Sequence, residues 1–225
     1  MSFKTRDGWT LTADWLKPAQ GRCVAVMLHG LGSGRGEWTP LDEKLAVSGF
    51  GFLAADMRGH GESTLAREGK RDYRSFTKTE DWAGAVKDIA ACMAFLKEKG
   101  IKENRVILAG ASIGANLALN AVVSLKMEPA GLILLSPGLD YHGISTRSAI
   151  KKTGSLPVLI SASRHDRYSW QSSAILTHLG GKKITFLEAP EGHGVNMFLG
   201  KANLSASVLE KVFSWIKYGT PRACP

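Results

Sequence analysis

The chain has 225 residues, 44% of them hydrophobic and 22% charged, and a formal net charge of +9. That balance excludes a disordered chain and a small disulfide-stapled scaffold, and it leaves enough length for one sizeable core. The positive charge is scattered. Its densest group, Arg67, Lys70, Arg71 and Arg74, is interrupted by Glu68 and Asp72, and reads as a solvated loop, with attraction of an acidic substrate as the alternative.

No nucleic-acid motif accompanies the charge, so no nucleic-acid partner is expected. The opening MSFKTRDGWT lacks the apolar stretch of a secretory signal. No run approaches the roughly 18 apolar residues of a membrane span. Cys23, Cys92 and Cys224 show no metal-ligand spacing. They read as packing residues of a reducing compartment, which gives a cytoplasmic expectation and no metal site.

In chain order, residues 2–5 and 9–16 alternate about Asp7-Gly8, a turn dipeptide of tight hairpins. A short apolar run at 23–28 reads as a buried strand, followed by a short helix at 40–48 and a second such strand at 50–55. The stretch 79–98 places Trp82, Val86, Ile89, Met93 and Leu96 on one helical face. Strands at 105–109, 132–135, 158–162 and 184–187 then alternate with helices at 113–126, 169–179 and 202–217. Gly100 and Gly180 stand where helix C-caps would fall. Such alternation after a hairpin predicts an α/β fold. It has a mainly parallel sheet of about eight strands, with helices on both faces. No repeat or linker interrupts it, so residues 1–225 are expected to form a single domain.

Gly110-Ala111-Ser112-Ile113-Gly114 matches G-x-S-x-G between an apolar strand and a helix. In that context a sharp turn lifts the serine hydroxyl above the sheet, and the flanking glycines remove side chains that would collide. Ser112 is the candidate nucleophile; an incidental serine in a glycine turn is the bland alternative. Two further segments stand beside it. Met27-Leu28-His29-Gly30-Leu31-Gly32 ends the first central strand, and Asp56-Met57-Arg58-Gly59-His60-Gly61-Glu62-Ser63 follows the next. With these three motifs in order, residues from about 20 to 200 resemble the α/β-hydrolase superfamily, on the side of esterase-like serine hydrolases without a sizeable cap.

The resemblance implies backbone donors at Leu31 and Ile113 for an oxyanion, and a base late in the chain. Beyond residue 150 the histidines are His165, His178 and His193. His193 stands in Ala189-Pro190-Glu191-Gly192-His193-Gly194, after the last strand, and is the candidate base. His178 falls late in a helix, and His165 directly precedes the candidate acid. That acid is Asp166, three residues beyond the strand 158–162 and its Ser163, where the family commonly has glycine. Asp140 is the rival acid, with a turn role as its bland reading. His29, Gly30, Trp38 and Tyr141 are candidate pocket residues, with ordinary packing the alternative for the two aromatics. The loop Asp56 to Ser63 is expected to be structural.

The expected chemistry is acyl transfer to water through Ser112, with neither metal nor organic cofactor, on a small-molecule ester-like substrate. Only residues 136–156 separate two late strands, so a nearly capless, open site is expected, suited to small or open-chain esters. A thioesterase or small-lipid hydrolase would use the same triad; a peptidase fits less well. From another class, a non-catalytic scaffold of this fold would serve as a ligand receptor or interaction module. Oligomeric state is not legible.

Overall fold

The structure is a computed structural model that describes residues 1–199, 202–219 and Cys224. The chain opens with the antiparallel pair β1 (Ser2–Lys4) and β2 (Thr10–Leu16), in register Phe3 to Leu11. It continues through β3 (Val24–Leu28), α1 (Thr39–Val47) and β4 (Gly51–Ala55). A two-residue pair, β5 (Leu65–Ala66) and β6 (Gly69–Lys70), lies in the basic loop. Then come α2 (Thr79–Ala83), α3 (Val86–Glu98), β7 (Val106–Ala111), α4 (Ile113–Ser124) and β8 (Gly131–Leu135). The hairpin β9 (Asp140–Tyr141) and β10 (Ile144–Ser145) and the short α5 (Arg147–Lys151) precede β11 (Val158–Ser163). Last are α6 (Arg167–Gly180), β12 (Ile184–Ala189) and α7 (Ala202–Tyr218).

The main sheet runs β12-β11-β8-β7-β3-β4-β2-β5-β6, with β1 paired to β2. From β12 to β4 all neighbours are parallel, and β2 joins antiparallel. The expected α/β architecture and its N-terminal hairpin are thus present, in a sheet of ten strands among the described residues rather than about eight. The excess comes from two-residue pieces too short to leave a periodic signal.

Alternation along the buried strands divides the core in two. Val24, Val26, Leu28 and Leu108 face one cluster with Ile89, Leu96, Leu117 and Leu176 of α3, α4 and α6. Ala25, Met27, Ile107 and Ala109 face the other, with Leu41 and Leu45 of α1 and Val212 and Ile216 of α7. Helices therefore cover both faces, as central strands with buried residues on both sides require.

The predicted helix 79–98 is two helices, α2 and α3, interrupted near Gly84. A side chain at Gly84 would meet the Arg58 guanidinium at 2.8 Å. The left-handed residue ending α6 is Gly181 rather than Gly180. The cysteine reading also needs correction: Cys23 and Cys224 form a disulfide across 201 residues of sequence, and Cys92 is free and buried. Disulfides persist in oxidising surroundings, so these cysteines give no support to a reducing compartment. No helix among the described residues is long and apolar enough to cross a membrane.

Candidate active site

The carboxyl ends of the parallel strands carry the site. Ser112 stands between β7 and α4 at φ 55° and ψ −122°, a backbone conformation L-residues rarely hold without enforcement. Enforcement comes from packing. A side-chain carbon at Gly110 would lie 2.3 Å from the Gly114 carbonyl oxygen, and one at Gly114 would lie 2.5 Å from the carbonyls of Leu28 and His29. Only glycine fits at either position. The Ser112 amide donates to the Leu135 carbonyl at 2.8 Å, which ties the turn to β8.

Beside it lies the loop after β3. A side-chain carbon at Gly30 would be 3.5 Å from Ser112 Cβ. His29 is fully buried; its Nε2 accepts the Met57 amide at 2.9 Å, so the ring proton sits on Nδ1 and is donated to the Gly30 carbonyl at 2.7 Å. Burial, with His60 adding, lowers its pKa to about 4, which keeps the imidazole neutral. His29 therefore braces the loop from behind and does not line a pocket. Ile113 is the first residue of α4, and its amide has no carbonyl within the helix to bond.

The candidate acid and base come from the next strand ends. Asp166 caps α6, its Oδ1 accepting the Ser169 amide at 3.3 Å, while Oδ2 lies 2.5 Å from His193 Nδ1. Partial burial pushes its pKa up, but hydrogen bonds from Ser169 and His193 outweigh that and hold it below the ordinary range. A carboxylate can only accept, so Nδ1 of His193 carries a proton, and in the neutral ring that tautomer leaves the lone pair on Nε2. The following residue, Gly194, packs against Ala111, where a side-chain carbon would meet Ala111 Cβ at 3.3 Å. This brings the imidazole's loop next to the serine turn, although no hydrogen bond joins Ser112 to His193 here. Resting hydrolase geometry is often loose in this way. The side chain of His193 is 44% exposed and that of Asp166 17%, so the pair opens to solvent.

Other candidates fall elsewhere. Asp140 accepts the Gly143 amide at 2.8 Å and takes part in the β9–β10 turn, not in the His193 pair. His165 and His178 are exposed, His165 bonding the Pro190 carbonyl at 2.9 Å. Trp38, expected at the pocket, is fully buried, its ring 6.5 Å from that of Phe198. The correction has a simple cause: the short 3-10 turn of Arg35–Trp38 rolls the indole into the α1–α7 core. The Tyr141 hydroxyl lies 2.9 Å from the Oγ of Ser169, the residue whose amide Asp166 accepts. The loop after β4 is a clamp. Asp56 holds Arg35, and Arg58 donates to Asp88 at 2.7–2.9 Å and to Asp7 at 2.9 Å.

Two polar residues escaped the sequence reading. Ser136, buried at the end of β8 with φ 50°, accepts the Gly194 amide on its hydroxyl at 2.9 Å. Glu37 accepts the Gly30 amide at 3.0 Å. The available signals were a serine closing the apolar run Leu132-Ile133-Leu134-Leu135 and an acid inside a glycine-rich loop.

Comparison with known proteins adds ancestry. The chain is 33% identical over 135 residues to an acetyl-hydrolase of Streptomyces hygroscopicus, covering 57% of this chain and 40% of that protein. It is 26% identical over 122 residues to protein phosphatase methylesterase 1 of Schizosaccharomyces pombe, covering 52% and 33%. The chain thus spans only about two-fifths or a third of the length of these curated relatives. In fold it is similar to an esterase from Exiguobacterium antarcticum, with a TM-score of 0.74 at 16% identity over 96% of this chain and 98% of that one. The family described as serine aminopeptidase, S33, matches residues 19–157, a span that includes Ser112 and ends before Asp166 and His193. The chain belongs to that family, within the α/β-hydrolase superfamily.

Proposed function

We propose that the protein is a serine hydrolase of carboxylic esters, with Ser112 as nucleophile, His193 as base and Asp166 as the acid that orients it. The observation carrying this reading is the 2.5 Å pair of Asp166 and His193 on the loop that abuts the strained turn of Ser112. His193 Nε2 takes the serine proton as Ser112 attacks the ester carbonyl. The amides of Leu31 and Ile113 receive the oxyanion, and the alcohol leaves with the proton returned by His193. Water activated by the same imidazole then releases the acid. No step calls for a metal or organic cofactor.

Small or open-chain esters fit best. The partly exposed base and the short β9–β10 and α5 elements between β8 and β11 support an accessible cleft with no sizeable cap, within a single α/β-hydrolase domain. The names of the acetyl-hydrolase and methylesterase relatives point to small groups as well. An alkyl fluorophosphonate should label the wild-type protein at Ser112 and leave Ser112→Ala unlabelled. p-Nitrophenyl acetate and butyrate should turn over faster than acyl-thioesters. Folded wild-type protein that resists the label would return the chain to the non-catalytic scaffold reading.

A further inference from the structure

Glu37 sits in the middle of the 3-10 turn Arg35–Trp38, between two anchored residues. On one side Arg35 is clasped by Asp56, through its amide at 2.7 Å and its guanidinium at 2.5 Å, and also reaches Asp14 and Glu62 at 3.1 Å. On the other, Trp38 is fully buried against Phe198. The backbone of Glu37 therefore has little freedom, and its side chain is aimed back at the loop after β3.

There Glu37 Oε1 accepts the Gly30 amide at 3.0 Å. The Gly30 carbonyl is also occupied, by His29 Nδ1 at 2.7 Å and the Ser33 amide at 3.2 Å. A trans peptide unit points its C=O and the next N–H in opposite directions. Holding the Gly30 carbonyl toward His29 and Ser33 thus turns the Leu31 N–H the other way. Holding the Gly30 amide fixes the remaining rotation.

We propose that Glu37 is a positioning residue, whose carboxylate locks Gly30 so that the Leu31 amide is aimed at the oxyanion formed on Ser112. This rests on the acyl-enzyme reading above and deepens it. A charged acceptor suits the task, because a bond from an amide to a carboxylate is stronger and shorter than one to a neutral oxygen. Burial pushes the Glu37 pKa up, while Ser33, the Gly30 amide and the facing His193 act against that shift. Preorganised donors are where such sites gain rate, because they need not rearrange as charge develops.

The test is the second-order rate of labelling by an alkyl fluorophosphonate, measured with the thermal midpoint of each variant. Glu37→Ala and Glu37→Asp should label about 10–100-fold more slowly with midpoints close to wild type, by comparison with the ~10²–10³ lost when an oxyanion donor is removed outright. The aspartate keeps the charge but withdraws it from Gly30. Glu37→Gln, which keeps an acceptor oxygen in place, should recover to within about fivefold of wild type. Alanine and aspartate variants labelled at the wild-type rate would overturn the inference, as would a glutamine variant as slow as alanine. Should the alanine variant fail to fold, the aspartate and glutamine pair decides. Wild-type protein that takes no label at Ser112 would instead bring down the hydrolase reading itself.

Discussion

The two halves of the site are built in opposite ways. The side of Ser112, the proposed nucleophile, is a matter of close packing: the atoms nearest to a side chain added at Gly110 or Gly114 are all backbone, and His29 behind is fully buried. The side of the proposed acid and base is a matter of hydrogen bonds at the water boundary, where Asp166 and His193 meet with 17% and 44% of their side chains exposed. Packing fixes one half by exclusion, so substitutions at its glycines should damage fold and activity together. Hydrogen bonds fix the other half by direction, so substitutions there should damage activity alone.

Asp166→Asn is the sharpest way to probe that division. It should lower kcat by about 10⁴, roughly 5 kcal/mol of barrier, by presenting the wrong tautomer of His193. Its thermal midpoint should stay within a few degrees of wild type. Asp140→Asn should leave kcat within about twofold; the reverse ranking would move the acid to β9.

Gly114→Ala should do the opposite. Its added carbon has carbonyl oxygens 2.5 Å away that cannot yield cheaply. A loss of at least about 3 kcal/mol in denaturant unfolding is expected, together with loss of turnover. A stable but inactive Gly114→Ala protein would erase the contrast between the halves.

Next in size is a pH effect on the packed half. The folded pKa of His29 is about 4, against an ordinary value near 6.5. The unfolded chain therefore binds the extra proton first. His29's contribution is complete above about pH 6.5 and drains away as pH falls toward 4, to a limit of roughly 3 kcal/mol. Urea unfolding at pH 7.5 and 4.5 should show this loss for wild type and a smaller one for His29→Gln. Equal slopes would dismiss His29 as the cause.

A smaller effect is expected at Ser136→Ala, which leaves the Gly194 amide without its hydroxyl acceptor. A loss of about tenfold in kcat, with KM little changed, would mark a base held less firmly. Unchanged kcat would show that the Asp166 bond orients His193 unaided.

The same division explains what could be read from sequence. Ser112 was legible because steric exclusion writes itself as invariant chemistry within five residues: glycine at 110 and at 114. The strands were legible because β3, β7 and β8 are buried and apolar throughout, and β11, equally buried, departs from that only at Ser161 and Ser163. Asp166 and His193 could be named from their places after β11 and β12, but their meeting joins residues 27 apart through side chains that no local pattern encodes. Glu37 and Ser136 stayed hidden for that reason: each acts on a backbone amide, and an amide has no letter in the sequence. Trp38 misled because an aromatic on a short loop reads the same whether it turns outward or inward. The hairpin of β9 and β10 was missed because two residues are too few for alternation to show.

The bond from Cys23 to Cys224 closes a ring across 201 residues of sequence, fastening Cys224 to the root of a central strand. None of the groups around Ser112 takes part in that ring closure. In the chain-entropy picture, opening a ring of this size returns about 5 kcal/mol of freedom to the denatured ensemble alone. A thiol reagent could thus leave every catalytic distance untouched and still shorten the working life of the fold.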